Sequence, residues 1–385
     1  MKVNRNINAM QFDILELIPD WLYIRIKKEF RKKIFLDAKN RFGSYRKLAK
    51  NLNFNIASVS AWKNGKQYIP LNVVNYLLKI NGMKKEELRK QIFAIGIKNN
   101  IKPLIRPKLT ITFDKNLARL IGYIYGDGSI GKNLRISYTN QNKFLIEKFQ
   151  YLVHEIFGKN VGIYRFYNKK DKTSNLTLPK IIGLILTKIN KNFSKKIIPM
   201  NLLVTNKNLI KEFLGAIFDD EGTVQFKSRG LSIVLSKRKM LQDIQNLFQI
   251  LEIKTTKIKK EIKLNRKYWR LTIYRRKNFE IFNDEIMLYH PQKFFALKKL
   301  VNHYKKYKFA KHELSEKIIF HLQKNDKLTS TELTKLTGAR NTTICKTLKK
   351  LEKSKMVKNH KILAINKNGQ NYHIKTWWIN DNSSN

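Results

Sequence analysis

The sequence predicts an α+β protein whose centre is a tandem αββαββα repeat, preceded by a helical domain and followed by a helix-and-hairpin domain. Three observations predict this. Residues 117–128 (LARLIGYIYGDG) are echoed by residues 213–222 (FLGAIFDDEG), and self-similarity over so long an interval marks an architectural repeat. After each copy the apolar spacing switches from helical to alternating and back in the same order. Finally, 79 Lys+Arg against 28 Asp+Glu leave a net charge of +51, which points to a polyanion as partner.

Setting Asp127 on Glu221 places Gly122 on Ala216, Ile124 on Phe218 and Gly128 on Gly222. Leu117, Leu120, Ile121 and Ile124 follow helical spacing, as do Ile210, Phe213, Leu214, Ile217 and Phe218. Glycine inside a helix costs about 1 kcal/mol relative to alanine, so Gly122 opposite Ala216 predicts two helices packed backbone to backbone. Gly128 and Gly222 suit left-handed C-caps. Side by side, the two helices place Asp127 and Glu221 together at two negative dipole ends, where like charges repel. A divalent cation relieves both costs, and oxygen-only ligands suit a hard ion such as Mg²⁺. For either copy alone, the plainer reading is an ordinary core helix with a carboxylate at its exposed end.

At these residues the chain resembles the LAGLIDADG homing endonuclease family in its single-chain, two-motif form. Residues 120–128 match the motif at Gly122, Ile124, Asp127 and Gly128, with Tyr125 where an aspartate is usual; residues 214–222 keep Asp219 as the first acid and put Glu221 at the metal-binding position. The resemblance covers residues 115–305. It implies a pseudo-twofold core with the motif helices at its seam and saddle-shaped antiparallel sheets over double-stranded DNA. The implied reaction is hydrolysis of both strands at a long, near-asymmetric target by a monomer using Mg²⁺ or Mn²⁺ and no nucleotide cofactor. Asp127 and Glu221 would hold the metal with help from the backbone carbonyls of Gly126 and Asp220. Lys196 and Lys293 are the expected catalytic lysines, with Lys195 a rival to Lys196. Strand faces bearing Arg135, Ser137 and Thr139, Arg165 and Tyr167, Gln225 and Lys227, and Arg270 and Thr272 are the expected DNA contacts, since such side chains suit phosphate and base edges.

The domains expected are residues 1–100, a linker at 101–116 with Pro103 and Pro107, a core at 117–308 (repeats 117–200 and 207–308), and residues 311–385. Residues 1–36 read as helical. Ser44 precedes a helix to Leu52, and a turn leads to a second helix, residues 56–62, carrying Ser58, Ser60 and Lys63; this resembles the helix-turn-helix of phage-repressor-type domains, with the second helix in a major groove. A plain three-helix bundle is the alternative. In the core, strands are expected at 134–139, 161–167, 175–178, 223–227, 231–235, 256–264 and 268–274, with Ile258, Ile262 and Leu264 on an apolar face. In the last domain, helices at 314–322, 331–336 and 342–351, the last capped by Asn341 and presenting Thr343, Lys346 and Lys349, precede a hairpin turning at Asn368-Gly369. This resembles a winged helix, for DNA or for protein contacts.

Composition excludes several classes. The single cysteine, Cys345, allows neither an internal disulfide nor a multi-cysteine zinc site, and is expected to be a small buried hydrophobe. The seven histidines lack zinc-like spacing, and His290, before a proline, reads as a packing or hydrogen-bonding residue. No phosphate-binding glycine loop appears. Without an apolar run of membrane length or a signal pattern, the expected location is cytoplasmic. Met1 and the end Ser383-Ser384-Asn385 lack the terminal residues of a protein-splicing element, so a free-standing product is expected. The competing reading is a non-cutting binder on the same fold: a transcription regulator or an intron RNA maturase.

Overall fold

In the computed structural model, which describes residues 10–97, 103–226, 228–263, 265–306, 312–365 and 371–380, the two motif helices run Lys115–Tyr125 and Lys207–Glu221. Both begin at a capping side chain: Asp114 accepts from the Leu117 amide and Asn206 from the Asn208 amide, satisfying N–H groups with no partner inside the helix. The two helices pack against each other at their small residues. A Cβ on Gly122 would lie 2.6 Å from Ala216 Cβ and 2.7 Å from the Phe213 carbonyl oxygen. The glycine is there because backbone meets backbone.

The terminal glycines act differently from expectation. Gly128 and Gly222 are not left-handed caps but open the strands Gly128–Ile130 and Gly222–Gln225, Gly222 at φ −76° and ψ 151°. Close approach requires them: a Cβ on Gly128 would lie 2.6 Å from the Ile124 backbone, and one on Gly222 2.4 Å from the Phe218 ring.

Each motif helix leads into a four-stranded antiparallel sheet. The first has the order Tyr164–Asn168, Thr173–Thr177, Ile136–Asn140, Gly128–Ile130; the second has Gly222–Gln225, Gly230–Leu235, Arg266–Ile273, Lys259–Lys263. Helices Lys143–Phe157 and Lys180–Ile189 complete the first copy, and Arg238–Ile250 and Arg276–Glu285 occupy the same places in the second. One buried face per sheet forms the core: Ile136, Tyr138 and Leu176 in the first, Leu231, Ile233 and Leu271 in the second. The expected apolar face at 256–264 is not a core face. Lys259–Lys263 is an edge strand with Ile262 66% exposed, and Leu264 lies outside the described residues.

The N-terminal stretch is less helical than expected. Strands Gln11–Asp13 and Tyr23–Ile26 precede the helix Lys28–Phe42. Ile24 and Ile26 are buried and Arg25 exposed, a strand period, but their partners, Ile69–Pro70 and Ile92–Gly96, are remote in sequence. The stretch expected as a linker carries Leu104–Ile105 and Thr110–Thr112, the latter paired with Gln11–Asp13. Leu104–Ile105 lies between Ile92–Gly96 and the core strand Asn160–Val161. A single five-stranded sheet thus joins the N-terminal helices to the first copy. Those helices include Tyr45–Asn51 and Ile56–Lys63, capped by Ser44 and Asn55, with Val59 and Trp62 turned inward.

Contacts divide the chain into two units, 1–298 and 299–385. In the second, helices Glu313–Lys324, Ser330–Thr337 and Asn341–Lys353 pack with a sheet ordered Leu328–Thr329, Asn371–Ile379, Val357–Ile365 around Ile318, Leu333, Ile344 and Leu348. Arg340, not Asn341, is the cap position of the last helix. Cys345 is half-buried, and the expected Asn368-Gly369 turn lies outside the described residues.

Beside Gly122 the seam holds a buried ionic network. Arg119, 1% exposed, lies between Glu212 and Asp219, donates to the Met287 carbonyl at 2.7 Å, and sits over the Tyr289 ring at 4.4 Å. Tyr123 donates to Asp219 at 3.0 Å. Removing one partner of such a buried pair leaves an uncompensated charge and costs about 3–5 kcal/mol. Arg119→Met is therefore expected to lower unfolding free energy by that amount in denaturant titrations, and adding Asp219→Asn recovers part of it. Gly122→Val forces the seam apart and is expected to cost about 1–3 kcal/mol in the same measurement; an unchanged midpoint would contradict the close approach.

Candidate functional site

The ends of the motif helices bring Asp127 and Glu221 within electrostatic reach of each other. Burial, followed by the charge of Asp127, raises Glu221 above the usual carboxylate range, against the pull of Lys196 and Lys293. Asp127 is exposed as a residue, yet enough protein surrounds its carboxylate for desolvation to raise it too, against Lys293, Lys196 and a hydrogen bond from Asn140.

Lys196 and Lys293 occupy matching places. Lys196 Nζ donates to the carbonyls of Tyr125, Gly126 and Gly128 at 3.1, 3.2 and 2.6 Å. Lys293 Nζ donates to those of Phe218, Asp219 and Asp220 at 3.2, 2.5 and 2.9 Å. Each ammonium therefore caps the C-terminal end of one motif helix, where carbonyls lack partners and the dipole is negative. Burial lowers the pKa of both lysines, and the nearby acids pull against it. The Lys195 carbonyl accepts from Lys237, and among the described residues its own ammonium makes no matching contact. Lys196 reaches back from a left-handed backbone at φ 54°, a conformation non-glycine residues hold only where the surroundings enforce it.

The departure at Tyr125 has a physical account. In the second copy, Asp219 accepts from the Tyr289 and His290 amides, both at 2.9 Å, and so anchors the start of the helix Pro291–Lys306 that carries Lys293. In the first copy, the segment around Lys196 offers a carbonyl instead: Tyr125 donates to the Ile197 carbonyl at 3.0 Å and accepts from Asn190 at 3.0 Å. An acceptor would be wrong there and a donor is right. His290 takes part through its backbone; its Nδ1 is buried without a partner among the described residues.

Sequence reasoning missed three groups around Asp127. The Asp220 carboxylate accepts the Asp127 amide at 3.1 Å and Tyr138 Oη at 2.8 Å; Asn140 donates to Asp127 at 2.8 Å and to Asp220 at 3.3 Å. Burial and then the charge of Asp127 push Asp220 well above the usual carboxylate range. Nothing in the order of residues marks Asn140 or Tyr138, which reach Asp127 and Asp220 respectively from a strand paired with Gly128–Ile130. Arg119 was findable, as a lone arginine on the apolar face of a helix.

These groups open onto a polar cleft of about 610 Å³, lined by Asp127, Thr139, Thr173, His290, Gln292 and Lys293 among others. Register decides which expected DNA contacts share its face. Ser137 lies opposite Thr177 and Tyr164, Thr139 opposite Asn175 and Phe166. These half-buried or exposed positions, with the exposed Arg135, form the face away from Tyr138 and Leu176. Arg165 and Tyr167 pair instead with Leu176 and Ser174 and so fall on the opposite face; Tyr164 and Phe166, each 54% exposed, stand in their place. In the second sheet, Gln225, Arg270 and Thr272 share the outer face with Ser232, but Thr272 is 5% exposed and Arg270 is paired with Glu261. Lys227 lies outside the described residues. In the N-terminal helices Ser60 is exposed, Ser58 half-buried, and Lys63 sits over the Tyr45 ring at 4.7 Å. Thr343 and Lys346 are exposed in the second unit.

The donor set fits a hard cation, with two carboxylates from different copies beside backbone carbonyls. Among the described residues no cluster of three or more His, Cys, Asp or Glu is placed to hold a metal. No helix of the described residues is long and apolar enough to cross a membrane.

Comparison with known proteins agrees with the repeat. Two relatives come from Methanocaldococcus jannaschii: glutamine–fructose-6-phosphate aminotransferase [isomerizing], 23% identical over 238 residues (58% of this chain, 21% of that protein), and an uncharacterized protein, 28% identical over 149 residues (37% and 52%). The chain thus spans about a fifth and about half of these curated relatives. Similar solved structures include a mesophilic variant of the homing endonuclease I-DmoI (18% identity, 45% of this chain and 96% of that one, TM-score 0.35) and I-DmoI in complex with DNA and Ca (19%, 45% and 90%, 0.34). Full-length DUF199/WhiA from Thermatoga maritima is another (15%, 63% and 92%, 0.38). A family model for the LAGLIDADG-like domain matches residues 114–214 and again 208–287. The centre of this chain has a LAGLIDADG-like fold, matched in two tandem copies.

Proposed function

We propose that this protein is a site-specific DNA endonuclease of the homing type, cutting both strands of a long, near-asymmetric duplex target. One observation supports the reading: Asp127 and Glu221, one from each copy, lie within electrostatic reach of each other at the ends of the seam helices, each end backed by a lysine from an equivalent position. A net charge of +51 supplies the affinity for DNA, with the steep salt dependence of counterion release.

Asp127 and Glu221 would hold Mg²⁺ or Mn²⁺. When bound, such an ion would supply Lewis-acid chemistry, lowering the pKa of a water and offsetting charge on the scissile phosphate and the leaving 3′ oxygen. Lys196 and Lys293 offset the charge that accumulates on the phosphate, and their bonds to the helix ends fix them where that charge arrives. Thr139, Ser137, Arg135, Gln225 and Arg270 meet the duplex from the sheets, Arg270 on exchanging Glu261 for DNA. The exposed helix faces bearing Ser60 and bearing Thr343 and Lys346 extend the contact beyond the core, the latter as a winged-helix module, and linkage of modules raises affinity through effective concentration.

A second reading, a DNA-binding regulator or RNA maturase that does not cut, is favoured by the same lysines: their ammoniums already supply the acid pair with counter-charge and the helix ends with donors. The two readings separate on incubation with a randomised duplex library and Mg²⁺. The endonuclease gives double-strand breaks that Asp127→Asn or Glu221→Gln abolishes, and Lys196→Met or Lys293→Met is expected to slow cutting by about 10²–10³-fold. Specific binding without breaks identifies the regulator, and chelation by EDTA that leaves cutting intact would remove the metal from the account.

A further inference from the structure

The two acids are equivalent in sequence but not in surroundings. At the position of Asp220 the first copy has Gly126, and a Cβ there would lie 2.5 Å from Asp220 Oδ2. At the register position of Asn140 the second copy has Leu235: Tyr138 lies opposite Gly128 as Ile233 lies opposite Gly222, and each of these residues follows two later. A side chain of the second copy therefore crosses the seam into space the first copy leaves open. There it accepts the Asp127 amide and is itself held by Tyr138 and Asn140. Asn140 fixes Asp127 Oδ2 directly at 2.8 Å. Among the described residues, no hydrogen bond holds the Glu221 carboxylate, which is steadied by the charges of Lys196 and Lys293.

We infer that Asp220 and Asn140 are positioning residues for Asp127 alone, so that the two half-sites cut their strands at unequal rates. The inference rests on the endonuclease reading. Asp127 enters the reaction already oriented by two bonds and Glu221 does not, so the strand that depends on Asp127 is nicked first. Partners that orient a ligating carboxylate typically contribute 10–100-fold.

The test uses the full chain and a duplex selected from a randomised library by the wild-type protein, with each strand separately end-labelled. Asp220→Asn removes the charge and keeps the size; Asn140→Leu gives the first copy the residue of the second. Each is expected to slow one strand about 10- to 100-fold, the strand that Asp127→Asn slows most, and to leave the other within a few-fold. Mn²⁺ binding to the protein–duplex complex, followed by electron paramagnetic resonance, is expected to weaken at one site and hold at the other. Equal slowing of both strands, or no change in either variant, overturns the inference while leaving the endonuclease reading intact. A wild-type protein that nicks neither strand overturns both. If Asp220→Asn fails to fold, Asn140→Leu decides alone.

Discussion

The structure depends on one close approach. Gly122 against Ala216 and the Phe213 carbonyl brings two helix backbones nearer than side chains normally allow, and every feature of the site follows from that nearness. Two helices ending side by side put two negative dipole ends and two carboxylates into one small volume. Such an arrangement is unfavourable unless positive charge is supplied, and the fold supplies it from Lys196 and Lys293, each arriving from the segment that closes its own copy. Around this floor, each copy adds a sheet with one buried face and one polar face.

The repeat is symmetric in backbone and asymmetric in chemistry. Tyr125 and Asp219 occupy one position and do the same job with opposite hydrogen-bonding sense, because the segments they hold present a carbonyl in one copy and amides in the other. Asp219 can be an acid there because Arg119 crosses the seam to meet it, alongside the Tyr289 and His290 amides and Tyr123. Gly126 and Asp220 form a second such pair, where an absent side chain makes room for a half-buried one. In a single chain each half is free to diverge, and the seam is where the divergences have to fit together.

The motif helices, the order of strands and helices in both copies, and the placement of Lys196 and Lys293 at the ends of those helices were legible in the sequence, because helical period, small residues at matched positions and the acid–glycine endings are local signals. What was not legible depends on pairing across the chain. Tyr23–Ile26 is too short to announce itself, and its partners are remote in sequence. The strands inside the expected linker exist because neighbouring strands give their backbone groups partners. Arg165 and Tyr167 were placed on the wrong face because a face is set by register, and Leu176 opposite Arg165 fixes it. Asn140 and the Asp220 carboxylate were invisible for the same reason.

The claim beneath all of this is that the seam brings one acid from each copy to a common floor. A chain with Cys345→Ser, Asp127→Cys and Glu221→Cys, treated with a short bis-maleimide at low protein concentration and mapped by mass spectrometry, tests it directly. The account predicts one intramolecular cross-link joining positions 127 and 221 in high yield. Two separate single-ended adducts, or cross-links only between molecules, would contradict it.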